Sequence, residues 1–519
     1  MKLLQEKLSR YDAPQRAKAA GIYPYFRAIS SEQDTEVLID GRKVLMFGSN
    51  SYMGLTTHPK VIEAAVEATR KYGTGLAGSP FLNGTLDIHK QLEARLAEYI
   101  GKEDVMLYSS GFGVNLGVVS SLTGREDYVI LDEQDHASII EGRRLSFSSY
   151  LKYKHNDMTS LEEQLKKCKE DKVKLVVTDS VFSMEGDTAD LPKIIELKKK
   201  YNTTVMVDEA HGIGVFGKCG RGLCDHYGVT KDVDLIMGTF SKSFASLGGF
   251  IATDKEITNY LRHHSRSYIF TASITPGSTA AVNAALDIML SEPERQEHLW
   301  EITKFALDSF KAMGCEIGHT STPIIPLYIR DDYKTFKVTH DLLEEGVFVN
   351  PVVSPAVAPN DTLIRYSLMA THTKEQVTRS LEAIEKVFKA NGVIMPIVVN
   401  KDSDGKYMII AGERRFRASK IAGLDKVPVI IKTYNERQIK EISLIENLQR
   451  EDLNPIDAAT AMRSLMNDYG MTAEDLADRI GKSRPVIANT LRLLSLTPEV
   501  IKMVENGTLS SGHARTIIS

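Results

Sequence analysis

The chain reads as an α/β protein. A mostly parallel central sheet with helices on both faces is followed by a smaller α+β domain and a C-terminal segment of different texture. Three observations predict this. Between about residues 58 and 290, short apolar runs alternate with amphipathic helical stretches, the pattern of βαβ units. Those runs are nearly unbroken in Val, Ile, Leu and Met, as strands buried on both faces require. After Asn391-Gly-Val-Ile-Met-Pro the alternation stops and helical patterns dominate.

Taken in order, residues 1–20 predict an amphipathic helix, and Val37 to Phe47 a hairpin turning at Asp40-Gly41. Strands are expected at Val105-Met-Leu-Tyr, Tyr128-Val-Ile-Leu, Leu175-Val-Val-Thr, Thr204-Val-Met-Val, Leu235-Ile-Met and Gly249-Phe-Ile-Ala. Helical patterns at 60–72, 86–100, 160–170 and 192–201 separate many of them. Residues 291–390 run helix, strand, helix, strand, helix. Ile397-Val-Val and Tyr407-Met-Ile-Ile form a short hairpin across Asp402-Ser-Asp-Gly405. The expected domains are an arm and hairpin (1–57), a large domain (58–290), a small α+β domain (291–394), a further α/β segment (395–450) and a helical domain (451–519).

A single core stops growing at about 250–300 residues, so 519 residues predict several domains. Apolar content of 42% and charged content of 25% are those of a soluble globular protein. Net charge is −4; residues 395–519 carry 18 Lys+Arg against 16 Asp+Glu, leaving 46 against 52 before them. Neither part is basic enough for charge alone to predict nucleic-acid binding. Cys168, Cys219, Cys224 and Cys315 form no Cys-x-x-Cys and have no histidines at zinc spacing, so reduced thiols and no metal site are expected. The N-terminus is charged throughout and lacks a signal-peptide core. No run approaches the ~18 apolar residues of a membrane span. These features predict a cytoplasmic protein.

The chemistry is concentrated at strand ends. Thr204-Val-Met-Val207 delivers Asp208-Glu-Ala-His211, and Leu235-Ile-Met leads to Lys242, 34 residues after Asp208. An acid and a lysine so placed suit pyridoxal phosphate. The lysine forms a Schiff base, and the carboxylate keeps the pyridine nitrogen protonated so that the ring absorbs carbanion electrons. His136 follows a strand and reaches the carboxyl edge where α/β sheets bind ligands. Ser110-Gly-Phe-Gly113 follows another strand and opens a helix whose N–H groups would cradle a phosphate. Ser183 ends the strand beginning at Leu175, and Arg365 has the fork geometry for a substrate carboxylate. Singly, such residues are ordinary: a strand-end Asp is commonly a cap, and a lysine belongs on the surface. Their common position at successive strand ends is what points to a site.

Several motifs carry a resemblance: Ser49-Asn-Ser-Tyr-Met-Gly-Leu, Asn83-Gly-Thr, Asp135-His-Ala-Ser, Asp208-Glu-Ala-His-Gly, Gly238-Thr-Phe-Ser-Lys and Thr271-Ala-Ser. Through them residues 1–394 resemble the α-oxoamine synthases. These are fold-type-I pyridoxal-phosphate transferases that join an amino acid to an acyl-CoA with loss of CO₂. Gly84-Thr-Leu-Asp-Ile-His and Gly238-Thr-Phe-Ser-Lys-Ser are most similar to the bacterial serine palmitoyltransferase branch; Pro80 stands where relatives usually carry arginine. The resemblance implies that Lys242 forms the Schiff base and removes the α-proton. It implies that Asp208 pairs with the ring nitrogen, His211 bonds the ring O3′, and His136 stacks on the ring and helps orient the amino acid. By the same resemblance Ser183 and Thr239 support ring and phosphate. Ser110, Gly111 and Phe112 hold the phosphate, with Ser241 beside the lysine and Thr271 reaching across from a second subunit. Asn50 and Arg365 face the substrate. A homodimer with a shared site follows, as does condensation of L-serine with palmitoyl-CoA to 3-ketodihydrosphingosine. Members that make glycine- or alanine-derived products, such as glycine C-acetyltransferase and 8-amino-7-oxononanoate synthase, share nearly every catalytic residue. One methylene or hydroxyl shifts binding by only about 1–3 kcal/mol, so the amino acid is the least fixed expectation.

Gly412-Glu-Arg-Arg-Phe-Arg-Ala418 follows a strand and opens a helix, an arrangement suited to polyphosphate. Further on, Thr472 caps a short helix carrying Leu476, Ala477 and Ile480. Gly481 turns, and Ser483 caps a second helix carrying Val486, Ile487, Asn489, Thr490 and Leu493, a helix-turn-helix pattern. With Glu446-Asn-Leu-Gln-Arg450, these features make residues 392–519 resemble the ParB partition proteins, which bind centromere-like DNA and use CTP as a clamp switch. The resemblance implies that Glu413, Arg414 and Arg415 contact CTP phosphates. It implies that Glu446, Asn447 and Arg450 serve the nucleotide and Mg²⁺, and that Lys482, Ser483, Arg484 and Asn489 face DNA. It also implies a partial nucleotide-binding segment at 395–450, without the family's usual first strand and Pro-Arg segment, and a truncated DNA-binding domain at 451–519. A helix over 375–390 fits both patterns, so the chain reads as a join of two genes. The rival reading is a DNA-segregation factor with a synthase-like body.

Overall fold

Apolar β-branched runs become the strands of the molecule. The computed structural model describes residues 2–358, 361–391 and 397–401, and beyond them a discontinuous set that includes 405–412, 429–432, 455–469 and 484–505. It comprises two units, Met1–Ala390 and Asn391–Ser519.

In the first unit, β1 (Glu36–Ile39) and β2 (Arg42–Met46) form the expected hairpin. Asp40 and Gly41 both hold positive φ, 50° and 74°, as its tight turn demands. The segment before it departs from expectation. It forms two helices, Lys2–Ser9 and Ala13–Ala19, because Pro14 has no N–H to continue the first and starts the second instead.

The central sheet contains β3 (Asp104–Tyr108), β4 (Tyr128–Asp132), β5 (Ser149–Tyr153), β6 (Lys174–Asp179), β7 (Thr204–Asp208), β8 (Leu235–Thr239) and β9 (Gly249–Thr253). Their spatial order is β3-β9-β8-β7-β6-β4-β5. Only β9 runs antiparallel to its neighbours. The loop 240–248 joining it to β8 is too short for the crossover that a parallel pair needs. The inner strands β6, β8 and β9 are buried at every residue. The edge strand β5 has no apolar run to announce it: of Ser-Tyr-Leu-Lys-Tyr, only Tyr153 is buried. A core of Val114, Val118, Val129, Leu131, Val177, Met206 and Ile251 packs helix Gly111–Leu122 against the sheet.

The smaller part of this unit holds more strand than expected. β10 (Ile324–Tyr328) and β12 (Asn350–Val352) flank β13 (Leu363–Ser367) in an antiparallel sheet, while β11 (Val347–Phe348) joins β2. Helices Glu294–Ala312, Asp332–Glu344 and Lys374–Ala390 belong to this region, and the last buries Val377, Leu381 and Ile384. In the second unit, β14 (Ile397–Lys401) pairs antiparallel with β15 (Tyr407–Ala411) and parallel with β16 (Val429–Lys432). Leu476 and Ile487, one on each side of the expected helix-turn-helix corner, share a buried cluster with Met462 and Leu465 of helix Pro455–Tyr469.

Buried carboxylates fasten the strand ends of the central sheet. Asp135 accepts the backbone N–H groups of Asp132 (2.9 Å) and Asp179 (3.0 Å), and Asp179 accepts that of His136 (2.7 Å). His155 lies between Asp132 (2.9 Å) and Asp187 (2.8 Å). Burial alone would lower the His155 pKa, but hydrogen bonds to the two carboxylates outweigh it and raise it to about 10. A folded pKa above the unfolded value of about 6.5 gives stability that is full below the unfolded value and lost as pH rises through the folded one. Replacing His155 by Leu is therefore expected to lower the unfolding temperature most at or below about pH 6.5. The gap to the parent protein should close as pH rises through about 10; thermal scans across that range would show it, and a gap independent of pH would contradict it.

Candidate active site

Because β9 is the only reversed strand, β3, β4, β6, β7 and β8 all point the same way and end at one edge. Register then sets depth: Asp179 pairs with Asp208, and Asp208 with Met237. Thr239 ends β8, and Lys242 lies just beyond it. The edge bounds a cavity of about 290 Å³, close to the lower limit of small-molecule sites. Asp208, His211, Thr239, Ser241 and Lys242 line it, as do His136, Ser110, Gly111 and Phe112. Nine of the expected cofactor residues thus meet in one place.

Several are held by identifiable contacts. Asp208 is buried; its Oδ1 accepts the Ala210 N–H at 2.9 Å and its Oδ2 the Asn115 amide at 2.7 Å. Lys242 Nζ makes no hydrogen bond or ion pair among the described residues. Burial lowers its pKa to about 8, although Asp208 and Asp179 pull the other way. Roughly a tenth of such an amine is neutral, and so nucleophilic, at pH 7. His211 is buried, with Nδ1 2.6 Å from the Tyr52 hydroxyl. Its burial, then the Lys242 and Arg365 cations, hold its pKa well below the ordinary histidine value. Ser110 caps helix Gly111–Leu122, its Oγ accepting from Gly113 N at 3.0 Å. A side chain at 111 could not be accommodated, because a Cβ there would lie 2.7 Å from Thr239 Oγ1. The helix start therefore lies directly against the end of β8.

Arg365, in β13, is buried without a carboxylate partner among the described residues. Nε donates to the Ser183 carbonyl (2.6 Å), Nη1 to Ser367 Oγ (2.6 Å) and Nη2 to the Tyr52 hydroxyl (3.2 Å). Tyr52 thereby links Arg365 to His211. Ser183 is thus placed by its carbonyl at Arg365 and does not line the cavity. Asn50 lines an adjoining opening of about 670 Å³ that shares Ser241 and Lys242 with it. Thr271 stands apart, at a space of about 20 Å³ beside Pro80.

Pyridoxal phosphate fits these residues. An unpaired amine and a buried carboxylate face one cavity, Asn115 Oδ1 is buried without a partner, and a helix N-terminus with small residues offers donors to an anion. Asn115, Ser138, Tyr52 and Asp179 were not singled out from sequence. The available signals were an amide inside the apolar helix Val114-Asn-Leu-Gly-Val-Val and an acid closing an otherwise apolar strand. Of the residues expected to meet nucleotide or DNA, Glu413, Arg414, Arg415, Glu446, Asn447, Arg450, Lys482 and Ser483 lie outside the described residues. Arg484 opens helix Arg484–Arg492, and Asn489 is partly exposed on it.

Known proteins accord with this geometry. Residues 42–384 match the family model for aminotransferase class I and II. The chain is 62% identical over 390 residues to a serine palmitoyltransferase of Bacteroides thetaiotaomicron, covering 75% of this chain and 99% of that one. It is 41% identical over 377 residues to an 8-amino-7-oxononanoate synthase of Thermosipho melanesiensis, covering 73% and 96%. A high-resolution SPT (serine palmitoyltransferase) structure with a PLP internal aldimine superposes with a TM-score of 0.72 at 33% identity, over 74% of this chain and 98% of that one. Residues 362–448 match the ParB N-terminal domain and 451–519 the ParB HTH domain. Residues 362–384 satisfy both the aminotransferase and the ParB patterns, and they fold as β13 and part of helix Lys374–Ala390 in the first unit. The chain belongs to the aminotransferase class I and II family, grouped there with the serine palmitoyltransferases as a pyridoxal-phosphate-dependent acyltransferase, and carries ParB-type domains at its C-terminus.

Proposed function

We propose that the first unit condenses L-serine with palmitoyl-CoA. The serine α-carbon bonds to the thioester carbonyl carbon, the C–S bond breaks to release coenzyme A, and the carboxylate leaves as CO₂, giving 3-ketodihydrosphingosine. The observation that carries the reaction type is the single cavity faced by the Lys242 amine and the Asp208 carboxylate. The choice of serine and palmitoyl rests on the 62% identity to a serine palmitoyltransferase.

Bound in the cavity, pyridoxal phosphate supplies a protonated ring that takes up the electron pair left when the amino acid loses its α-proton. Lys242 Nζ, with its pKa lowered to about 8, would be the nucleophile that holds the cofactor and the group that takes up that proton. Asp208, fixed by Asn115 and Ala210 N–H, presents a carboxylate to the ring nitrogen. Neutral His211 and His136 both line the cavity, where they would meet the ring oxygen and the ring face respectively. Ser110, Gly111, Phe112, Thr239 and Ser241 would receive the phosphate, while Ser183 would act only through Arg365, which its carbonyl holds. Arg365 keeps one N–H on each terminal nitrogen for the amino-acid carboxylate, and Asn50 faces the substrate from the adjoining opening.

The cavity is buried on its Asp208 side and open at Phe112 and Leu247, which are 46% and 67% exposed. A second copy covering that rim and contributing Thr271 is the proposed homodimer. Among the described residues no helix is long and apolar enough to cross a membrane. The four cysteines are free thiols, which suits the proposed cytoplasmic location.

A second reading concerns the second unit. Its match to the ParB HTH domain supports DNA binding through residues 470–495.

Purified protein given palmitoyl-CoA with serine, glycine or alanine is expected to yield a ketone product fastest from serine, by about 10- to 200-fold in kcat/KM. Preference for glycine or alanine would overturn the choice of amino acid, and absence of product from all three would overturn the reaction. DNA retention by the intact chain should fall steeply as salt rises, because phosphate contacts release counterions. No retention at low salt would remove the second reading.

A further inference from the structure

Asn115 is fully buried on helix Gly111–Leu122 beside Val114, Val118 and Val119. An amide in such surroundings is costly unless its donors are used. Its Nδ2 lies 2.7 Å from Asp208 Oδ2 and 2.9 Å from Ser138 Oγ. A carboxylate oxygen only accepts, so the NH₂ end faces Asp208, and both of its protons are committed. The opposite atom, Oδ1, is left buried without a partner, a cost borne in keeping the donors so directed.

Ser138 Oγ therefore accepts from Asn115, and, because the Ser138 backbone N–H already claims the lone pair of His136 Nδ1, the hydroxyl proton also goes to that nitrogen, 2.7 Å away. The Ser138 backbone N–H also donates to Nδ1, at 3.3 Å. Two donors aimed at one ring nitrogen require a lone pair there, so the proton of the neutral ring sits on Nε2. Nε2 has no hydrogen-bond partner among the described residues, and the ring lines the cavity. The main chain of His136 is anchored by its N–H, which donates to Asp179 Oδ2 at 2.7 Å. The ionisable groups bearing on it are Asp208, Lys242, Asp179 and His211. Burial, with Lys242, lowers the His136 pKa against the opposing effect of Asp208.

We propose that Asn115 and Ser138 are positioning residues that fix the proton of His136 on Nε2, so that this imidazole meets the bound amino acid as a hydrogen-bond donor. The inference rests on the acyltransferase reading and adds to it the direction of hydrogen bonding inside the site. An Nε2–H suits a carboxylate or carbonyl oxygen of the substrate. Nδ1, its lone pair occupied by two donors, takes no proton unless both are displaced. Proton transfer at the substrate α-carbon is thereby left to Lys242. One amide also ties the Asp208 carboxylate, through Ser138, to the His136 imidazole, so both keep a single relative arrangement in the cavity.

The test is ¹⁵N NMR of histidine-labelled full-length protein, cofactor-free and loaded with pyridoxal phosphate, with His136 assigned by the signals lost in His136→Asn. From about pH 6 to about 8, both forms are expected to show an unprotonated Nδ1 and a protonated Nε2. Ser138→Ala and Asn115→Ala are expected to move the ring toward a tautomer mixture. In the loaded enzyme both should lower kcat with serine by about 10- to 100-fold. A proton on Nδ1 in the parent protein, or a tautomer unmoved in both variants, overturns the relay and leaves condensation of serine standing. The parent measurement decides the matter even where a variant does not fold. Absence of ketone product from parent protein that shows the Nε2 tautomer overturns the acyltransferase reading and leaves the relay standing.

Discussion

A lysine amine held out of water, facing a cavity whose far wall is a fixed carboxylate, is the constraint on which the first unit depends. Removing an ammonium from solvent favours its neutral form, and Lys242 accordingly titrates near 8. The same burial would be destabilising in a protein with no use for it, since lysine is rarely enclosed without a partner. What makes the arrangement possible is a sheet that delivers Asp179, Asp208, His136, Ser110 and Thr239 to the same edge. Parallel strands end together, and their register places Asp179, Asp208 and Met237 side by side. Loops leaving that edge are then fastened by backbone N–H groups donated to Asp135 and Asp179.

This edge was largely legible in the sequence, because buried parallel strands are nearly unbroken apolar runs and the residue following each run must lie at the carboxyl edge. Lys242, Asp208, His136 and Ser110 were found that way. The edge strand Ser149–Tyr153 was not, since a strand exposed along one side carries no such run. The break at Pro14 and the extra strands Asn350–Val352 and Val347–Phe348 were missed for a related reason. Short elements are set by what they pack against, and pattern alone carries little of that. Asn115 went unremarked, and Ser138 and Tyr52, though inside quoted motifs, were given no role, because such roles lie in contacts with residues distant in sequence, such as Asn115 with Asp208 and Tyr52 with His211. A buried amide in an apolar helix was the one available hint.

The junction between the units has its own physical meaning. Residues 362–384 satisfy two family patterns, yet Leu363, Ile364, Tyr366, Val377 and Ile384 are buried within the first unit. A segment whose apolar face is already covered has nothing left with which to build a second core. That strand and helix therefore belong to the core of the first unit, although the ParB-type pattern also runs through them.

The central claim is that Lys242 bonds to pyridoxal phosphate while Asp208 holds the ring nitrogen protonated. Visible absorbance of the purified protein, mixed with pyridoxal phosphate, tests it most directly. The account predicts a Schiff-base band in the parent protein that Lys242→Ala abolishes together with turnover. Persistence of both band and turnover in that variant would contradict it.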